Sequence, residues 1–116
     1  MIKGIGTDIV EIDRIRAAVK NFGERFLNRV FTPHEIGYCK KSNKFRFPEL
    51  TVRFAAKEAY AKAIGTGMKG IQWKHIEVRN EKSGKPYLVI NGKKKKNVHI
   101  TLSHSQKYGV ANVVIE

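Results

Sequence analysis

Apolar residues change their spacing twice along the 116-residue chain, and each change marks a change of element. Residues 2–12 are rich in Ile and Val, with Gly4, Gly6, Asp8 and Val10 at every second position; this spacing predicts a strand with those four on one face. Over 13–30 the period lengthens. Ile12, Ile15, Val19 and Phe22, then Phe26, Leu27 and Val30, form a helical stripe that Gly23 divides into two shorter helices. Thr32-Pro33-His34-Glu35 fits a capping box with proline at the first helical position, which gives Glu35 a structural role and packs Tyr38 and Cys39 in or beside a short helix. Residues 40–50 read as a loop, and an alanine-rich helix over 50–64 stops near Ile64–Gly65. After Gly70 alternation returns. Residues 71–80, 85–91, 97–103 and 108–115 are predicted strands, joined by Glu81–Gly84, the Lys93–Lys96 tract and a turn around Ser105-Gln106-Lys107. Val110–Ile115 is apolar on both faces, as a central strand requires. A strand, then helices, then antiparallel strands make one α+β domain over residues 1–116, without internal repeats.

Composition narrows the class. No apolar run approaches the length of a membrane span, no signal-peptide core is present near the N-terminus, and the single cysteine, Cys39, has no internal disulfide partner. A reducing cytoplasm is the expected setting. With 23 basic and 10 acidic residues the net charge is +13, which points to an anionic partner without saying which. The basic residues Arg14, Arg16, Lys20, Arg25 and Arg29 share the 13–30 segment with only Asp13 and Glu24, a pattern that suits a docking face for an acidic surface. The Lys93–Lys96 tract reads as a solvated loop.

Three groups of residues carry candidate chemistry. On the 50–64 helix, Phe54, Glu58 and Lys62 fall on one stripe among Ala55, Ala56, Ala59, Ala61 and Ala63. Glu58 and Lys62 have the spacing of an ordinary surface pair. A helix of such small side chains can also approach other backbone closely, and a charged stripe on it then lines a crevice. Gly65-Thr66-Gly67-Met68-Lys69-Gly70 matches G-x-G-x-x-G, but it follows a helix where a dinucleotide fingerprint must follow a strand and open a helix. Its amides can still form an anion-binding nest. Ser103-His104-Ser105 ends a predicted strand; no G-x-S-x-G elbow accompanies it, and no C-x-x-C or H-x-x-x-H suggests zinc. The separated carboxylates Asp8 and Glu58, with cationic neighbours, suit a hard cation such as magnesium, which takes one or two carboxylates plus substrate phosphates.

Gly4-Ile5-Gly6-Thr7-Asp8-Ile9-Val10-Glu11-Ile12, the run Arg53-Phe54-Ala55-Ala56-Lys57-Glu58-Ala59 continued through Lys62-Ala63-Ile64-Gly65-Thr66-Gly67, and Ser103-His104-Ser105 together resemble the holo-acyl-carrier-protein synthase family, the small phosphopantetheinyl transferases. Gly84-Lys85-Pro86 is a weaker match, and the likeness spans essentially the whole chain. The resemblance implies the phosphopantetheinyl transferase fold and transfer of 4′-phosphopantetheine from coenzyme A to a serine of an acyl carrier protein, releasing adenosine 3′,5′-bisphosphate. It implies that Asp8 and Glu58 bind magnesium and that Lys62 meets the phosphates. Gly65, Thr66, Arg53, Pro86, His104 and Ser105 would line the coenzyme A groove. Arg14 and Arg25, the latter in Arg-Phe-x-x-Arg-x-x-Thr, match positions that contact the acidic carrier, and the family forms homotrimers with sites between neighbours.

The competing reading is a small basic nucleic-acid-binding module, which the net charge alone favours. It requires aromatic residues interleaved with basic ones on an exposed sheet. Trp73, Tyr87 and Tyr108 fall on separate predicted strands and share no motif.

Overall fold

The computed structural model describes all 116 residues. Strand β1 (Gly4–Glu11) passes directly into helix α1 (Ile12–Phe22), which Gly23 separates from α2 (Glu24–Val30). Gly23 has φ +55°, a conformation that suits a residue without Cβ. Thr32 caps α3 (Pro33–Tyr38): its hydroxyl accepts from the Glu35 amide while the Glu35 carboxylate accepts from the Thr32 amide, closing the capping box. A two-rung hairpin of β2 (Lys40–Lys41) and β3 (Lys44–Phe45) leads into α4 (Phe47–Ile64), which ends on Gly65 in the left-handed conformation. After a glycine-rich loop, a 3-10 turn (Trp73–His75) precedes β4 (Ile76–Asn80), β5 (Pro86–Ile90), β6 (Lys93–Lys94), β7 (Val98–His104) and β8 (Tyr108–Ile115).

Two antiparallel sheets result, ordered β1-β8-β7 and β4-β5-β6. The central place of β8 explains why its apolar residues serve both faces, with Asp8 opposite Ala111 and Leu102 opposite the same residue. Helix α4 is the hub. Eleven of its residues are buried, so it shows almost no amphipathic stripe, as expected of a helix enclosed on most sides. Its Leu50, Phe54, Ala55 and Ala59 join Ile15, Phe31, Ile76, Leu88 and Val113 in one core.

β1 and α4 touch backbone to backbone. A Cβ on Gly6 would lie 1.9 Å from the Ala59 carbonyl oxygen, and one on Gly4 would lie 2.2 Å from that of Ala63. The room that glycine leaves beside Asp8 is therefore filled by the helix itself. Gly6→Ala is expected to force the two elements apart and to cost at least about 1–3 kcal/mol, read as a lower urea midpoint. An unchanged midpoint would contradict the close approach.

Several boundaries differ from the sequence reading. Residues 40–50 are not one loop: β2 and β3 pair there, and α4 starts at Phe47 with Pro48 in its first turn, where a missing amide costs nothing. The strand expected over 71–80 starts only at Ile76, because Trp73–His75 forms the 3-10 turn. Lys93 and Lys94 pair with Ile90 and Val89, so half of the lysine tract is strand. Ser103 and His104 lie within β7.

Candidate active site

The close passage of β1 over α4 brings Asp8 beside the Glu58–Lys62 stripe. The Lys62 ammonium reaches across to β1, donating to the Thr7 carbonyl and to Asp8 Oδ1, each at 3.0 Å. It makes no ion pair with Glu58, its helical neighbour, so the surface-pair spacing is not used. Asp8 is mostly enclosed, with 15% of its side chain exposed, whereas Lys62 keeps 52% in solvent.

Glu58 is half-buried, and its acidity is set by that position. Burial raises its pKa above 4.5, the negative charge of Asp8 raises it further, and Lys62 and Arg14 act in the opposite direction. The two carboxylates are therefore within electrostatic reach, and their mutual repulsion is what a cation placed between them would relieve. No third His, Cys, Asp or Glu joins them into a closed cage. The donor set fits magnesium, which retains waters and takes its remaining ligands from substrate phosphates.

Arg53 occupies a different side of α4. Five residues before Glu58, it is turned roughly 140° around the helix. Its guanidinium is fully buried: Nη1 donates to the Glu49 carbonyl at 3.1 Å and to Glu49 Oε1 at 3.0 Å, and Nη2 donates to Asn80 Oδ1 at 2.8 Å. The Nε–H alone has no partner. Arg53 forms the floor of a cleft of about 260 Å³, whose walls include Tyr38, Asn80, Gly84, Pro86 and His104. Its position is thus that of a fixed floor rather than a free arm. His104 also borders a second cleft of about 400 Å³ with Arg16, Arg46 and Phe47. Ser105 lies in the β7–β8 turn, where its Oγ accepts from the amides of Lys107 and Tyr108. Gly65 and Thr66 are exposed just beyond Lys62, the Thr66 hydroxyl donating to the Gly67 carbonyl at 3.0 Å.

The structure therefore brings Asp8, Glu58 and Lys62 into electrostatic reach of one another where β1 crosses α4, and Arg53, Pro86 and His104 into a cleft on a different side of α4. Sequence reasoning gave no role to Lys57, which is wholly buried and ion-paired with Glu35 at 2.7 Å. A signal was present: a lysine four residues after Arg53, on a helix of alanines too enclosed to send every charge to water.

On the basic α1–α2 face, Arg14 lies 5.5 Å from the Phe54 ring centroid, and Arg25 and Arg29 line a cleft with Phe22 and Phe26. A groove of about 360 Å³ runs among Arg14, Phe22, Phe26, Arg29, Phe54 and Trp73. The three aromatic residues of the nucleic-acid reading form no common platform. Trp73 stacks on Phe54, Tyr87 lies in the β4–β6 sheet beneath Lys94, and Tyr108 opens β8.

Known proteins match both sequence and fold. Residues 4–114 match the family model of the 4′-phosphopantetheinyl transferase superfamily. The holo-[acyl-carrier-protein] synthase of Halothermothrix orenii is 50% identical over 125 residues, covering 100% of this chain and 98% of that protein. The crystal structure of a holo-(acyl-carrier-protein) synthase from Bacillus anthracis in complex with CoA (3′,5′-ADP) is 40% identical, with a TM-score of 0.82 and coverage of 100% and 97%. The structure of the enzyme from Neisseria meningitidis, 35% identical, gives a TM-score of 0.87 over 100% and 99% of the two chains. Matched along its length in residues and in backbone, with the β1–α4 contact lying inside the matched region, the chain belongs to the holo-[acyl-carrier-protein] synthase family of 4′-phosphopantetheinyl transferases.

Proposed function

We propose that this chain moves the 4′-phosphopantetheine arm of coenzyme A onto a serine hydroxyl of an acidic acyl carrier protein, releasing adenosine 3′,5′-bisphosphate, with magnesium held by Asp8 and Glu58. The observation that carries the proposal is that β1 brings Asp8 to 3.0 Å from the Lys62 ammonium and within electrostatic reach of Glu58. Magnesium, when bound, supplies positive charge that offsets the pyrophosphate and its departing half. Everything else in the reaction falls to the chain. Lys62 adds a point charge where a phosphate enters, and its half-exposed side chain lets it exchange the Thr7 carbonyl for that ligand. The cleft floored by Arg53 and walled by Pro86 and His104 takes the nucleotide end, with Gly65 and Thr66 along the path beyond Lys62. Phosphoryl transfer depends chiefly on charge stabilisation and positioning, and this arrangement offers both.

Two separated clefts also favour a homotrimer with sites shared between neighbours, since one copy's Asp8–Glu58 crevice can then face another copy's Arg53 cleft. Ile5 and Ile9 on β1 are 68% and 62% exposed, an apolar cost that a neighbouring copy would remove. The enzyme on this reading works in the cytoplasm and serves fatty acid synthesis. No helix is long and apolar enough to cross a membrane.

The test is direct. Incubated with coenzyme A, magnesium and unmodified carrier, the protein should add the mass of one phosphopantetheine to the carrier, and chelating the metal should prevent it. A carrier of unchanged mass in the complete mixture would sink the reading. The docking face is tested apart from the chemistry by Arg25→Glu, because Arg14 contributes to the field at Glu58 whereas Arg25 is not among the charges acting there. The KM for the carrier should rise about tenfold, with that for coenzyme A nearly unchanged. Equal rises would count against this face.

A further inference from the structure

Lys57 is not exposed at all, yet all three of its N–H donors are used. Its Nζ donates to the Val30 carbonyl at 2.6 Å, to Glu35 Oε1 at 2.7 Å and to the Trp73 carbonyl at 3.2 Å. These acceptors lie on three different parts of the chain. Val30 is the last residue of α2, the helix that carries Arg25 and Arg29. Trp73 opens the 3-10 turn at the far end of the glycine loop that leaves α4. Glu35 anchors α3 and supplies the countercharge.

Val30 and Trp73 both line the groove that also holds Arg14, Phe22, Phe26 and Phe54. One ammonium on α4 therefore holds two groove-lining elements by their carbonyls. Lys57 holds the Trp73 backbone at its carbonyl, and the Trp73 indole stacks on Phe54 with centroids 4.9 Å apart and planes at 23°; Phe54 is the ring on which Arg14 rests. The loop before Trp73 contains Gly65, Gly67 and Gly70, each at positive φ with open space about it; Ile71 packs against the core, and the bond to the Trp73 carbonyl is the charged anchor at the loop's far end.

We propose that Lys57 is a positioning residue for carrier binding: by bonding the end of α2 and the Trp73 carbonyl together, it fixes the width of the apolar groove beneath the basic docking face. The inference rests on the reading of that face as the carrier's docking surface. A charge serves here where an apolar residue of equal size would not, because its three N–H groups donate at once to the Val30 and Trp73 carbonyls and to the Glu35 carboxylate that it neutralises.

The chain has one tryptophan, so its fluorescence reports Trp73 alone. In Lys57→Met, emission should shift to the red and acrylamide quenching should increase, with the far-ultraviolet circular dichroism of the folded protein retained. The KM for the carrier should rise about tenfold while the KM for coenzyme A and kcat change much less. Should that variant fail to fold, Glu35→Gln with Lys57→Met removes the buried charges together and gives the same two readings. A folded variant with unaltered Trp73 emission overturns the proposal. Altered emission with an unchanged carrier KM overturns it as well, by showing that the groove is not where the carrier binds; Arg25→Glu then reports on the docking face independently.

Discussion

Glu58→Gln is expected to reduce transfer at least about a hundredfold while leaving the protein folded and no less stable at neutral pH. The carboxylate contributes to charge, not to packing: it is half-buried, burial and Asp8 hold its pKa above 4.5, and Lys62 gives its hydrogen bond to Asp8 instead. A carboxyl whose pKa is higher in the folded than in the unfolded chain makes folding more favourable as pH falls, so its ionised form at neutral pH is a net strain on the fold. Removing that charge relieves the strain and removes half of the proposed magnesium set. Turnover followed by carrier mass, together with melting temperature, separates the two effects. Near-normal turnover would exclude Glu58 from the reaction, and a large drop in melting temperature would reassign it to the core. The same electrostatics predict that Glu58, titrated by carboxyl-carbon resonance in the free protein, has a midpoint above 4.5 that falls in Asp8→Asn.

The largest effect on stability is expected at Glu35, which bonds none of the residues proposed to hold magnesium or coenzyme A. Its Oε1 accepts from the Thr32 amide and from Lys57, and its Oε2 accepts from the Val78 amide at 2.9 Å. Glu35→Ala leaves the Lys57 charge buried with only neutral carbonyls and orphans two amides, a loss of about 3–5 kcal/mol. For a domain whose total stability is of order 5–15 kcal/mol, much of the protein would unfold at modest denaturant. Adding Lys57→Met should restore part of the loss, because the unpaired charge goes with it. Burial already lowers the Lys57 pKa below 10.5, against the pull of Glu35. Without Glu35 it falls further. A base whose folded pKa lies below its unfolded value binds fewer protons when folded, so the single variant should regain stability as pH rises toward 10.5. Urea midpoints across that range test the sign. A flat profile, or a loss below about 1 kcal/mol, would mean the buried pair is solvated in solution.

Much of the architecture is written locally. The capping box at Thr32–Glu35 forms because its two side chains need only each other's backbone. Gly23 and Gly65 stop helices because positive φ costs glycine little. The alternation of Gly4, Gly6, Asp8 and Val10 put the two glycines and the acid on one face of β1 before any partner was known, and α4 indeed lies there. The alanine run marked α4 as a helix built for close contact. Where sequence reading erred, tertiary contacts had overruled local preference: Trp73 is drawn into a 3-10 turn by its stack on Phe54 and its bond to Lys57, so β4 starts late.

The partners of the charges were not legible in this way. At Glu58–Lys62 the helical spacing offers one ion pair, and the fold chooses another, Lys62 with Asp8, because β1 delivers a carbonyl and a carboxylate to the same ammonium. Arg53 and Lys57 stand in the central motif as letters of equal kind, yet one floors a cleft and the other knots three segments together. Residue types and their spacing determined the helices, the caps, the face of β1 and the family. Which charge meets which across 22 to 54 residues of chain was settled only in three dimensions, since a side chain's partner depends on the whole path that returns the backbone to it.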